Sequence, residues 1–252
     1  MKTIGNTILI TGGASGIGRA LAESFHKLGN EVIISGRRQK ALDEVTAANP
    51  GMRSLQLDIG DKAGVKSFAA QVSARYPNLN VLINNAGIMQ VEDINAAPSN
   101  LEIAEQTIST NLLGPIRLTA ALLPLLQAQK HAAILTVSSG LAFVPMAATP
   151  TYSATKAAIH SYSMALRHQL RGASVEVIEI VPPYVQTDLM GEHQASDPNA
   201  MPLEDFVTEV MQILSSRPDV AEVVVGRCVP LRSAAENGTL DAMFQAINSA
   251  SH

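Results

Sequence analysis

A chain of 252 residues with 46% hydrophobic and only 16% charged residues has the composition of a well-buried globular core, and its length allows one large domain or two small ones. The formal net charge of −4, without any basic run, argues against nucleic acid as the main partner. The longest strongly apolar stretch, Leu118–Leu126, falls far short of the ~20 residues of a membrane span, and the single cysteine, Cys228, cannot form an internal disulfide, which suits a reducing cytosol.

Met1 to Asn6 leads straight into a strand-like segment, with no charged leader followed by an apolar stretch and a cleavage site. Export is not expected, and the chain reads as a cytoplasmic protein. Short runs rich in Val, Ile and Leu then recur: Thr7–Thr11, Glu31–Ser35, Arg53–Leu57, Val81–Ile83, Ala132–Val137 and Val175–Val181, with Ala221–Val225 as a weaker seventh. They are apolar almost continuously, as strands are when helices cover both faces of a parallel sheet. Between them the stretches Gly18–Leu28, Gln39–Ala48, Asp61–Tyr76, Leu101–Gln127 and Thr151–Arg171 have helical period. In the first of these, Ala20, Leu21, Phe25 and Leu28 share one face, while Arg19, Glu23 and Lys27 share another. Strand alternating with helix, without linker-like composition, predicts a single doubly wound α/β domain built on a parallel sheet of about seven strands. The rhythm breaks at residues 188–204, where Leu189–Leu203 carries Gly191, Pro198 and Pro202 and few apolar residues. A surface loop is one reading. A lid over a ligand is the other, because the segment follows the sixth strand, whose carboxyl end faces the binding crevice of such folds.

Thr11-Gly12-Gly13-Ala14-Ser15-Gly16-Ile17-Gly18 stands where the first strand ends and the first helix begins. A glycine turn in that place brings backbone N–H groups close to a pyrophosphate, and the helix N-terminus adds the positive end of its dipole. Gly12 allows the sharp exit from the strand, Gly16 leaves room for the diphosphate, and Gly18 lets the helix pack on the sheet; a purely structural turn is the alternative. An NAD site places a carboxylate at the end of the second strand to bond the adenosine ribose. This chain reads Ser35-Gly36-Arg37-Arg38 there. Guanidinium groups match a 2′-phosphate by bidentate, charge-assisted hydrogen bonds, so NADP(H) is the expected cofactor unless the pair is simply a solvated turn.

Tyr152 and Lys156, four residues apart at the start of a predicted helix, lie on one face a turn apart. A phenol has an ordinary pKa of about 10, and lowering it by about 3 units needs roughly 4 kcal/mol of preferential support for the phenolate. One ammonium about 4 Å away at an effective dielectric near 20 supplies about that much. A tyrosine–lysine pair beside a dinucleotide is thereby sufficient for general acid/base work. A packed helix start with the lysine reaching to solvent is the alternative.

The turn at Thr11–Gly18, Asn84-Asn85-Ala86-Gly87 after the fourth strand, Ser138-Ser139 after the fifth, and Tyr152-x-x-x-Lys156 together resemble the short-chain dehydrogenase/reductase superfamily. The resemblance covers almost the whole chain and is most similar to the DltE-like branch. It implies a Rossmann-type domain that exchanges hydride between NADP(H) and a carbonyl/alcohol pair. Tyr152 then donates and accepts the proton, and Lys156 grips the nicotinamide ribose. Ser139 orients the substrate oxygen, in preference to Ser138, which points the other way along an extended chain. Asn111 bends its helix and positions a water that links the lysine to solvent; a solvent-facing asparagine is the alternative. To the cofactor the resemblance assigns Gly12, Ser15, Gly16, Ile17, Gly18, Arg37, Arg38, Asp58, Ile59, Asn85, Ala86, Gly87, Pro182, Val185 and Thr187, besides Tyr152 and Lys156. Asp58 would touch the adenine amine, and Thr187 the nicotinamide carboxamide. The chain departs from the usual pattern at Pro182-Pro183, where Pro-Gly is common, and Pro183 lacks an N–H and fixes φ.

A non-redox lyase or epimerase, or an NADP-binding redox sensor, is the runner-up reading. His160, His168 and His193 have no metal-ligand spacing with Cys228 or with acids, so they are expected at the surface, and no metal is expected. Phe143, Met146, Tyr184 and Met190 fall on segments that border the pocket and suit a modest apolar substrate, or else they are core. The outer faces of Leu101–Gln127 and Thr151–Arg171 carry small and apolar residues, as in similar proteins that form dimers or tetramers. The tail residues Leu240, Met243, Phe244 and Ile247 have helical spacing and offer a further docking face.

Overall fold

The first predicted strand is β1 (Thr7–Thr11), in which all five residues are buried. Its period-2 alternation sends Ile8 and Ile10 to one apolar cluster and Leu9 to another, so both faces of the strand are covered. In the computed structural model, which describes residues 1–96 and 101–249, the chain continues through α1 (Gly16–Lys27), β2 (Glu31–Gly36), α2 (Gln39–Ala48), β3 (Arg53–Gln56), α3 (Lys62–Arg75) and β4 (Val81–Asn84). Next come α4 (Leu101–Ile108), a π-helical turn (Ser109–Leu113), α5 (Gly114–Gln127), β5 (Ala132–Val137), α6 (Pro150–Gln169) and β6 (Val175–Val181). The remainder is α7 (Glu192–Ser196), α8 (Leu203–Ser216), β7 (Glu222–Val224), α9 (Val229–Arg232) and α10 (Leu240–Ser249). The strands form one seven-stranded parallel sheet in the order β3-β2-β1-β4-β5-β6-β7. This is the doubly wound sheet that the sequence predicts, and its order reverses between β1 and β4, where the crevice of such a fold opens.

One apolar cluster joins Leu21 and Phe25 of α1, Leu42 of α2 and Phe206 and Val210 of α8 beneath the sheet. The other joins Phe68 and Val72 of α3, Leu118 and Leu122 of α5 and Leu166 of α6 on the opposite face. Leu28, which the helical pattern assigns to the buried face of α1, is 46% exposed. The helix has already ended: Leu28 is its C-cap, and the chain turns at Gly29 with φ +82°.

Two segments differ from the sequence reading in kind. Leu101–Gln127 is not one regular α-helix, because the π turn adds a residue to its ladder around Asn111. By length and composition this 27-residue run is apolar enough to cross a membrane, although the sequence excluded a span from the shorter stretch Leu118–Leu126. Its α5 portion is built into the core through Leu118, Leu122 and Leu126, the place of a core helix with one uncovered side. Leu189–Leu203, expected to be too polar to pack, contains α7 and a parallel bridge between Val185 and Met201. Ala200, Met201 and Gln194 are buried there, because Gln194 and the backbone of Met201 satisfy the carbonyls of Val185 and Tyr184.

Candidate active site

The carboxyl ends of β1, β4, β5 and β6 converge on a cleft of about 750 Å³. Gly12, Ser15, Gly16 and Ile17 line it, together with Asn85, Ala86 and Gly87 and with Pro182, Val185 and Thr187. Arg37 and Arg38 stand at one end and Ser139, Tyr152 and Lys156 at the other. A narrower recess of about 140 Å³ continues past Arg37 and Arg38 to Asp58 and Ile59. Every residue assigned to cofactor by resemblance therefore borders this space except Gly18, which lies behind it.

Gly18 explains itself by proximity. A Cβ there would come within 2.3 Å of both the Asn85 amide nitrogen and the Gly12 carbonyl oxygen. Asn85 is a brace: its side-chain amide donates to the carbonyls of Thr11 (2.9 Å) and Gly12 (3.3 Å). The Thr11 hydroxyl in turn accepts from the backbone N–H groups of Asn85 and Ala86, at 3.0 Å each. These bonds join the ends of β1 and β4 and hold the turn open. Gly12 has φ +66° and Gly16 φ +50°, the left-handed region that favours glycine. A Cβ on Gly16 would meet Thr187 at 3.4 Å, so Thr187 roofs the turn. Thr187 is itself held by the buried Gln194, whose amide donates to its hydroxyl at 3.2 Å. Gln194 escaped the sequence reading because its segment looked like a polar loop.

The turn fits a dinucleotide on its own geometry. α1 starts at Gly16 with no side-chain cap on its first N–H groups, which leaves them for an anion. The guanidinium groups of Arg37 and Arg38 have no carboxylate partner among the described residues, and Asp58 is tied to the Gly60 N–H at 2.9 Å. An anion placed against the two arginines would meet positive charge.

At the inner end, Tyr152 (7% exposed), Lys156 (5%) and Ser139 (8%) are buried together. Ser139, two residues beyond β5, is in extended backbone, and its hydroxyl accepts from Leu141 N–H at 3.1 Å. Ser138 turns away and reaches the carbonyl of Ile180 at 3.4 Å. Lys156 donates to the Val137 carbonyl at 2.8 Å, and its Nζ stands 5.5 Å from the Tyr152 ring centre. Asn111, 2% exposed, faces inward: Oδ1 accepts from Ile88 N–H and Nδ2 donates to the Ile88 carbonyl, at 2.8 Å each. A Cβ on Gly87 would lie 3.4 Å from Asn111 Oδ1 and 3.7 Å from Lys156 Nζ, so three of the sequence-selected residues meet at one point. The π turn is what carries Asn111 inward.

The electrostatics correct one expectation. Burial pushes the Tyr152 phenol up to about 12, with the Ser139 hydroxyl working weakly against it. Burial likewise pulls Lys156 down to about 8, opposed by the charge of Glu179. The sequence argument placed an ammonium about 4 Å from the phenol at high effective dielectric. In the folded chain the ammonium leans on Val137, and desolvation outweighs its attraction. Lys156 alone does not make this phenol acidic.

Other expectations fail for reasons of packing. Phe143, Met146, Tyr184 and Met190 do not line the cleft; Phe143 instead packs edge-on against His160 at 4.7 Å, beneath the Arg232 guanidinium. Ile88, Met89, Gln90 and Leu189 line it in their place. His160 is not a plain surface residue. Its Nδ1 is 2.8 Å from Glu179, and Glu222 lies close enough that all three ligand atoms fall within 4.8 Å. Glu179 is fully enclosed, and its Oε1 has no hydrogen-bond partner among the described residues, a cost of about 1–3 kcal/mol. The signal for it was present: a carboxylate in the middle of a strand read as covered on both faces.

A family model described as short chain dehydrogenase matches residues 6–198. The chain is 47% identical over 189 residues, 75% of either chain, to the oxidoreductase DltE of Bacillus subtilis. It is 33% identical over 177 residues, 69% of this chain and 71% of the other, to an NADP-dependent 3-hydroxy acid dehydrogenase of Escherichia coli. Among solved structures, a short-chain dehydrogenase from Sphingobium yanoikuyae in complex with NADPH superposes with a TM-score of 0.79 at 26% identity, covering 96% of this chain and 94% of the other. With the crossing point, glycine turn and buried tyrosine–lysine pair in place, the chain belongs to the short-chain dehydrogenase family of oxidoreductases.

Proposed function

We propose that this protein interconverts a carbonyl compound and an alcohol with NADP(H), Tyr152 acting as proton donor and acceptor. One observation carries the reading: a single cleft has two unpaired guanidiniums at one end and the buried Ser139, Tyr152 and Lys156 at the other. NADP(H) is the cofactor named for the Escherichia coli relative and for the Sphingobium neighbour, and Arg37 and Arg38 are the residues that would hold its 2′-phosphate. When bound, the cofactor supplies or takes the hydride.

The protein's own part is position and charge. Ser139 holds the substrate oxygen against Tyr152, whose resting phenol is protonated throughout the physiological range and so stands ready as a general acid for reduction. Lys156 holds the ribose side of the cleft, with Asn111 and Ile88 fixing the wall beside it. The reverse reaction needs the phenolate. Because burial holds the resting phenol above its ordinary value, that state needs the positive charge of an oxidised nicotinamide beside Lys156. We therefore favour reduction as the easier direction.

The cleft's lining also includes Met89, Gln90, Val137 and Leu189, with Asp188 and Glu192; among the described residues its cations are Lys156 and, at the far end, Arg37 and Arg38. A substrate carboxylate at the Tyr152 end would find no guanidinium, so neutral aldehydes and ketones are the expected class. NADPH consumption across a panel of neutral carbonyls and 3-keto acids tests this. Turnover of no carbonyl at all, or of keto acids alone, would overturn it.

A pH dependence follows from Lys156. Because its folded pKa is lowered to about 8, it loses its proton as pH rises through that value, while Tyr152 keeps its own. The kcat/KM for NADPH is expected to be level from about pH 6 to 7.5 and to fall roughly tenfold per pH unit above about 8. A profile level to pH 10 would contradict it.

Assembly is also proposed. Leu101, Ile108, Leu113 and Met164, on the α4, π-turn and α6 surfaces, are 60%, 39%, 38% and 52% exposed in the single chain. A second copy would cover them, and a dimer or tetramer is expected by light scattering. A monomeric mass at micromolar concentration would refute it. The α10 tail is also tied to its own chain: Asn248 accepts from the Ala147 N–H at 2.6 Å and donates to the Pro145 carbonyl at 3.2 Å, while none of its apolar residues is buried in the single chain.

A further inference from the structure

Tyr152, Lys156 and His160 follow at four-residue spacing along α6, so the imidazole lies one turn beyond the lysine on the same face. The sheet brings a carboxylate to that face. Glu179 of β6 pairs in register with Thr136 of β5, whose hydroxyl touches Ser163 of α6 at 2.8 Å. The next residue along β5, Val137, provides the carbonyl that holds Lys156. Glu179 thus sits on the strand beside the lysine's anchor, 0% exposed, with His160 on one oxygen and no hydrogen-bond partner for the other among the described residues.

We propose that Glu179, held by His160, is a positioning residue of the active site whose buried negative charge keeps the Lys156 ammonium in place behind Tyr152. The groups that face this carboxylate decide its effect. On α6 they are Lys156 and His160; on β7, Glu222, whose own charged neighbours are Arg232, His160 and Arg167; and after β7, Cys228. Glu222 is already matched by Arg232 at 2.6 and 3.3 Å. That guanidinium supplies the positive charge a metal ion would bring to the cluster. Among the described residues no guanidinium or ammonium pairs with Glu179, whose hydrogen-bond partner is the His160 imidazole, so its field reaches the buried groups on either side, Lys156 and Cys228. Both respond in the expected sense, the ammonium favoured and the thiolate opposed.

The inference rests on the tyrosine–lysine reading above, but its test does not need turnover. In the full chain labelled with lysine carrying ¹³C at Cε, the Lys156 resonance is identified by its loss in Lys156→Met and followed through a pH titration. Glu179→Gln is expected to lower its midpoint by about one unit, a tenfold loss of proton affinity. The alkaline limb of kcat/KM should move down with it. His160→Gln keeps the carboxylate and offers it a neutral donor, so the midpoint should stay or rise. A folded Glu179→Gln protein with the parent's midpoint would overturn the proposal, and so would a lowered midpoint in His160→Gln. If Glu179→Gln does not fold, Glu179→Met, an apolar side chain of similar size, is titrated in its place with the same expected and overturning results. A shifted lysine in a protein that reduces no carbonyl would keep this inference and sink the functional one; the opposite pair of results would do the reverse.

Discussion

Replacing Tyr152 by phenylalanine is expected to lower kcat for carbonyl reduction by roughly 10²–10⁴-fold, the range that a positioned acid contributes. The substitution removes one oxygen from a side chain that is 7% exposed, and the ring keeps its packing. NADPH affinity, read from quenching or enhancement of its fluorescence, should stay within about threefold, because the groups expected to hold the phosphates lie elsewhere. Loss of rate without loss of cofactor is the signature of a group that acts only in the transition state. A Tyr152→Phe protein that reduces carbonyls as fast as the parent would remove the tyrosine from the mechanism and leave a nucleotide-binding fold.

The second large effect is expected at the far end of the cleft. In an Arg37→Ala/Arg38→Ala protein, KM for NADPH should rise by about 10²-fold while KM for NADH changes little. Each charge-assisted hydrogen bond is worth about 1.5–3 kcal/mol, and two arginines facing one phosphate place the loss near the top of that range after solvent screening. Both side chains are exposed, so fold stability should be nearly untouched. The parent's preference for NADPH should also weaken as salt is raised, since exposed charges are screened beyond ~10 Å at 0.1 M ionic strength. Equal losses for the two cofactors would mean that the arginines do not read the 2′-phosphate.

Much of the architecture was legible because it is written in short-range pattern. β1, β5 and β6 have the bounds that their apolar runs predict, Thr7–Thr11, Ala132–Val137 and Val175–Val181. Burial on both faces leaves no polar alternation to blur the signal. The glycine turn was legible for a related reason: a strand that must end and a helix that must begin within four residues leave few residue types that fit. Leu28 and Leu189–Leu203 were misread because hydropathy reports an average over neighbours. It cannot register a helix that stops one residue early, or one buried glutamine that ties a polar segment to the sheet.

The sequence by itself determined the order of elements, the doubly wound class, the glycine turn and which side chains were candidates for chemistry, since each depends on residues near one another in the chain. Tertiary structure alone decided how those candidates feel one another. It put the Lys156 ammonium on the Val137 carbonyl, 5.5 Å from the centre of the Tyr152 ring, and it turned Asn111 inward through a π turn. It also set Glu179 beneath His160 in a strand position that sequence shows only as an interruption. The physical reason is that charge interactions depend on distance and burial, and both are fixed by strand register and helix packing among residues far apart in the chain.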